Sequence, residues 1–98
     1  MGFPEITETA DGRSAVYLAE KLHPDLIVLD INLPDINGID AAKKIRQVSP
    51  SSRIIFASLD NDADIRAAAL EADPQAYVLK MNAGRELPKD IRAALDAI

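Results

Sequence analysis

The chain has no cysteine, no tryptophan, a single histidine and no apolar run of membrane-spanning length. Without cysteine there is no disulfide framework and no thiolate metal site. Aromatic residues make up 4% of the sequence, too few for a platform that stacks nucleic-acid bases. Positive charge is also short: 11 Lys and Arg stand against 16 Asp and Glu, for a net charge of −5. A surface of that sign repels nucleic acid and anionic membranes, so neither is expected as a direct partner. The opening Met1-Gly2-Phe3-Pro4-Glu5 is not a signal peptide, which with the missing span predicts a cytoplasmic protein. A Gly-rich phosphate loop and a Ser/His/Asp set are missing too, so an α/β enzyme of an unrelated class is the weakest reading. At 98 residues the chain is expected to form one domain over 1–98, a size that buries only about 60–65% of its unfolded surface.

What is present is organised around Leu26-Ile27-Val28-Leu29-Asp30 and the turn-formers after it, Asn32, Pro34, Asn37 and Gly38. Four apolar residues running straight into a carboxylate suit a strand buried on both faces, as in a parallel sheet. Asp30 then falls at the strand's carboxyl end, the edge at which open α/β sheets bind ligands. The plainer alternative is an Asp that merely caps a strand or loop.

The rest of the chain alternates around that strand. Residues 5–9 read as a short, edge-type strand, and Asp11-Gly12 as a turn and helix cap. Ala15, Leu18, Ala19 and Leu22 give a helix over 13–22, ended at His23-Pro24. Ile39, Ala42, Ile45 and Val48 give a second over 39–48. A strand at 54–57 ends at Ser58, an Ala-rich helix covers 63–72, and a strand at 76–79 ends at Lys80. The last helix, 87–98, has Pro88 in its first turn and a stripe of Leu87, Ile91, Ala94, Leu95 and Ile98. Strict β-α alternation with short loops predicts a parallel sheet flanked by helices.

In such a sheet the three strand ends converge, bringing together Asp30, Ser58 and Lys80. A carboxylate can act as a phosphoryl acceptor, while an ammonium and a small hydroxyl stabilise phosphoryl oxygens. Each residue alone is weak evidence, since a Ser or Lys after a strand is commonly a loop residue. The coincidence at successive strand ends carries the weight. Two other patterns weigh less. Asp60, Asp62, Asp64 and Glu71 match positions 1, 3, 5 and 12 of a calcium loop, but Ile65 stands where the sharp turn needs Gly. Helix-start acids explain them better. His23, next to a proline, reads as a loop residue rather than a catalytic base.

Over residues 6–98 the chain resembles the receiver domain of two-component response regulators. The matching segments are Ala10-Asp11-Gly12-Arg13, Pro24-Asp25-Leu26-Ile27-Val28-Leu29-Asp30, Asn32-Leu33-Pro34 with Gly38, the strand ending at Ser58, and Tyr77-Val78-Leu79-Lys80 followed by Glu86-Leu87. It is most similar to receivers that precede a helix-turn-helix output domain. The resemblance implies a flavodoxin-like α/β fold and a phosphorelay signalling module, not an enzyme, whose partner is a sensor histidine kinase or phosphotransfer protein. It implies that Asp30 is the phosphoacceptor and that Ser58 contacts the phosphoryl group and couples it to the switch. Lys80 would pair with phosphoryl oxygens and Tyr77 would be the aromatic that changes rotamer. Mg²⁺ is the implied cofactor, held by Asp30, the backbone carbonyl of Asn32 and an acidic pair at the end of the family's first strand.

That first strand and helix are not recognisable here, which leaves four β-α units. The chain is then a truncated, engineered or degenerate form. Phosphoryl transfer needs cationic neutralisation of the transferring group, so without the acidic pair Asp30 is expected to stay unphosphorylated. In the family's 2-1-3-4-5 strand order the missing strand is the central one. Right-handed crossovers place three helices on one face and the last helix alone on the other. Apolar side chains of strands 26–29 and 54–57 are then expected to face water, and a homodimer is expected to cover them. The competing outcome is that the strands close up without the missing one.

Overall fold

The structure is a computed structural model that describes residues 6–8, 11–31, 37–59 and 62–96. Four strands, β1 (Ile6–Glu8), β2 (Leu26–Asp30), β3 (Arg53–Ser58) and β4 (Ala76–Leu79), alternate with helices α1 (Gly12–Leu22), α2 (Gly38–Val48), α3 (Ala63–Leu70) and α4 (Ala83–Asp96). The sheet is parallel throughout, in the order β1-β2-β3-β4. The strands have therefore closed up: Ile6, Thr7 and Glu8 pair directly with Leu26, Ile27 and Val28.

Side-chain alternation assigns the two faces. Ile27 and Leu29 of β2 and Ile54 and Phe56 of β3 point to one side, where Ala15 and Ala19 of α1, Ala42 and Ile45 of α2 and Ala69 of α3 pack on them. Leu26, Ile55 and Val78 point to the other, under Leu87, Ile91, Ala94 and Leu95 of α4. The three-against-one division of helices is as expected, but the bare face is not there. Leu26 and Ile55 are fully buried and Val28 is 7% exposed. The reason is that α4 lies over β2, β3 and β4 together, packing Leu87, Ile91, Ala94 and Leu95 on them. It begins at Ala83, not near residue 87, entered from β4 through a short 3-10 turn at Lys80–Asn82. Pro88 consequently lies inside the helix, not in its first turn, at the cost of about one backbone hydrogen bond.

The helix starts follow local chemistry. The Asp11 carboxylate accepts from Ser14 N–H (2.7 Å) to cap α1, and the Asn37 side chain accepts from Ile39 N–H (2.7 Å) to cap α2. His23 takes the left-handed conformation (φ 43°) that closes α1, its N–H donating to Ala19 O. Below it runs a polar chain that the sequence did not announce. The Ser52 hydroxyl donates to the Pro24 carbonyl. Its oxygen must then accept from Ser49 (2.6 Å), and Ser49 in turn accepts from His23 Nδ1 (3.2 Å). Each hydroxyl has one proton to give, so the order of donors is fixed. Both serines are fully buried and satisfied by this chain, which ties the ends of α1 and α2 to the start of β3.

Candidate functional site

Parallel strands share one carboxyl edge, and the structure puts Asp30, Ser58 and Lys80 on it. Asp30 is the last residue of β2, with Ala57 as its register partner; Ser58 is the last residue of β3, and Lys80 follows β4 directly. The Lys80 ammonium forms an ion pair with Asp30 Oδ2, both side chains about one-third exposed. Asp30 ends β2 and Lys80 directly follows β4, with β3 between these strands, so the lysine stem crosses the end of β3. Ala57 lies between them on the same face and offers a single methyl group to the crossing. Ser58 points to the opposite face and is 1% exposed.

The backbone beneath Asp30 is clamped. Ile31 N–H donates to Ala57 O (3.0 Å) and Gly38 N–H to Ile31 O (3.1 Å). Gly38 is present because nothing larger fits: a Cβ there would lie 2.3 Å from the Asp30 carbonyl oxygen and 2.7 Å from Ile31 Cα. As a turn-former Gly38 was legible in the sequence; its approach to the Asp30 peptide was not. Tyr77, three residues before Lys80, is half-buried on the α1–α3 face, with the Arg66 guanidinium 5.1 Å from its ring centroid. Asn32 lies outside the described residues.

Asp62 is the N-cap of α3, accepting from Asp64 N–H (2.8 Å) and Ile65 N–H (3.1 Å), which bears out the helix-start reading for Asp62 and Asp64, whereas Glu71 stands at the C-cap of the same helix. Asp60 lies outside the described residues. Among the described residues no group of three or more His, Asp or Glu side chains is placed to hold a metal ion. The rim carboxylate of Asp30 is engaged by Lys80, so the described residues do not by themselves build the oxygen cage that Mg²⁺ requires.

A family model described as the response regulator receiver domain matches residues 1–92. The chain belongs to the response regulator receiver domain family. It is 37% identical to the nitrate/nitrite response regulator NarL of Escherichia coli K12 over 94 residues, 93% of this chain but 44% of NarL. It is 33% identical to the chemotaxis protein CheY of Thermotoga maritima over 79 residues, 81% of this chain and 66% of CheY. A two-component response regulator of the LuxR family from Aurantimonas superposes with a TM-score of 0.83 at 32% identity, covering 91% of this chain and 64% of that one. The chain thus spans less than half the length of NarL and has the fold of a two-component signalling receiver. No helix among the described residues is long and apolar enough to cross a membrane.

Proposed function

We propose that the chain is a phosphorelay switching module rather than an enzyme, with Asp30 as the acceptor and a sensor histidine kinase or phosphotransfer protein as the partner. The observation that carries this reading is the ion pair between Lys80 and Asp30, with Ser58 on the strand between them. In the transfer, the N–P bond of a phosphohistidine breaks, an Asp30 carboxylate oxygen takes the phosphoryl group, and the imidazole leaves with the electron pair. Lys80, already within reach, keeps its proton and pairs with a phosphoryl oxygen. Mg²⁺ would supply further charge neutralisation when bound.

The same geometry supports silence toward phosphate in the present form. Lys80 is a single cation, Asp30 is its partner, and the described acids do not gather into a cation site. The net charge of −5 supports protein partners over nucleic acid. A cytoplasmic setting follows from the partner class. Intact mass measured after incubation with acetyl phosphate and Mg²⁺ tests the reading: an unchanged mass is expected. A gain of one phosphate that disappears in Asp30→Asn overturns the silence and keeps the acceptor; a gain that persists in Asp30→Asn overturns the acceptor.

A further inference from the structure

Asn37-Gly38 is the one Asn-Gly pair in the chain, and the rim chemistry makes no use of it. An asparagine followed by glycine is well suited to react with itself, because glycine has no Cβ to obstruct the approach of its backbone nitrogen. In that reaction the Gly38 amide loses its proton and its nitrogen bonds to Asn37 Cγ. The Cγ–Nδ2 bond breaks, and ammonia leaves with the electron pair and the proton. Water then opens the five-membered imide. Cleavage of the new bond gives aspartate. Cleavage of the original peptide bond gives isoaspartate, whose main chain runs through Cβ and Cγ and is one atom longer.

The structure holds each participant out of place. Asn37 is exposed, so water reaches it. A planar imide needs the Gly38 nitrogen level with the Asn37 Cβ, however, and ψ 136° at Asn37 sets it far out of that plane. The proton that must be lost is donated from Gly38 N–H to Ile31 O (3.1 Å). Asn37 Oδ1 accepts from Ile39 N–H (2.7 Å), and the Asn37 carbonyl accepts from Ala41 N–H (3.0 Å). Gly38 is buried against the Asp30 carbonyl, so the peptide between Asn37 and Gly38 has no room to turn where it stands.

We propose that Asn37-Gly38 is a self-modification site that the fold keeps shut, opening only when the first turn of α2 lifts from the Asp30 peptide. The two products differ in what they do to the rim. Aspartate keeps a capping oxygen and brings a negative charge that a helix start favours. Isoaspartate, with its longer main chain, puts Gly38 out of register with Ile31 O and loosens the backbone clamp beneath Asp30. None of this depends on Asp30 accepting phosphate.

The test follows intact mass and a peptide map of the 98-residue chain at mildly alkaline pH, folded and in urea. The unfolded chain is expected to gain one mass unit in the peptide holding Asn37, and the folded chain to do so at least about tenfold more slowly. Asn37→Gln, which would have to close a larger ring, is expected to show no gain there over the same period. Equal rates folded and unfolded overturn the shut site, and no gain even in urea overturns the site itself. Below the unfolding midpoint, the folded rate is expected to rise in step with hydrogen exchange at the Gly38 and Ile39 amides. A rate that rises only with global unfolding overturns the local opening. Chain aged into the isoaspartate form is expected to unfold at a lower temperature than Asn37→Asp, which has the same charge on a normal backbone. Equal midpoints overturn the damage to the clamp.

Discussion

Asp30 and Lys80 meet because the residues around them are small. Strands in a sheet lie about 4.8 Å apart, so a lysine reaching from β4 to β2 must span two such intervals with its stem laid over the end of β3. Ala57 is the side chain beneath it. Ala57→Leu is expected to break the Lys80–Asp30 pair, read as movement of the Asp30 carboxyl ¹³C resonance toward that of Lys80→Ala, with the fold retained. Gly38→Ala acts on the other side of the same carboxylate. Its methyl group would drive into the Asp30 peptide, an overpacking worth about 1–3 kcal/mol. In a chain of this size that is a fall in Tm of at least about 5 °C, measurable by thermal unfolding. The three polar rim residues were legible in the sequence, since a charge or hydroxyl at the end of an apolar run stands out. Ala57 and the close approach of Gly38 were not, because what they contribute is space, and space depends on what arrives from elsewhere in the chain.

At the level of elements, apolar periodicity placed all four helices and all four strands, and the errors fell at their ends. The start of α4 was missed by four residues because Pro88 resembles a first-turn proline, while Arg85 and Glu86 favour helix as strongly as the residues beyond that proline. The bonds that Arg46 of α2 donates to the carbonyls of Ala72, Ser52 and Asp73, and the serine pair, left no trace in the sequence, since an arginine near a helix end and two serines beside a proline are ordinary there. Their arrangement nevertheless makes a sharp prediction. With Ser52 committed to Pro24 O, and Ser49 to Ser52, neutral His23 must carry its proton on Nδ1. As His23 is the only histidine, its ¹⁵N spectrum at alkaline pH is unambiguous. The Nδ1–H tautomer is expected in the native chain, with loss of that preference in Ser49→Ala. A native spectrum dominated by Nε2–H contradicts the donor order.

For the whole molecule, the reading of topology was correct about the division of helices and wrong about its consequence. Four β-α units with right-handed crossovers put α1, α2 and α3 on one face, as anticipated. The homodimer was expected because strands 26–29 and 54–57 would show apolar side chains on the other, yet Leu26, Ile55 and Val78 are fully buried beneath α4. The stripe of Leu87, Ile91, Ala94 and Leu95 was legible, but periodicity could not say that it would lie across β2, β3 and β4 at once. With Leu26, Ile55 and Val78 covered, the face expected to drive association is not bare among the described residues, and a monomer is expected by sedimentation equilibrium at micromolar concentration. A stable dimer there would have to be built on another surface, such as the outer edge of β1.

A sheet whose spatial order equals its chain order is assembled during synthesis one neighbour at a time, with no strand waiting for a later one to slot between it and its partner. The face under α4 is the exception. Its strands emerge first, and the helix that covers them follows all four. At translation rates of about 5–20 residues per second, the 14 residues of α4 take on the order of 1–3 s to make. For that interval a finished parallel sheet carries Leu26, Ile55 and Val78 uncovered. The vulnerable moment for this sheet is therefore the interval between the synthesis of β4 and that of α4, and a ribosome stalled just after Leu79 would release a chain prone to aggregate.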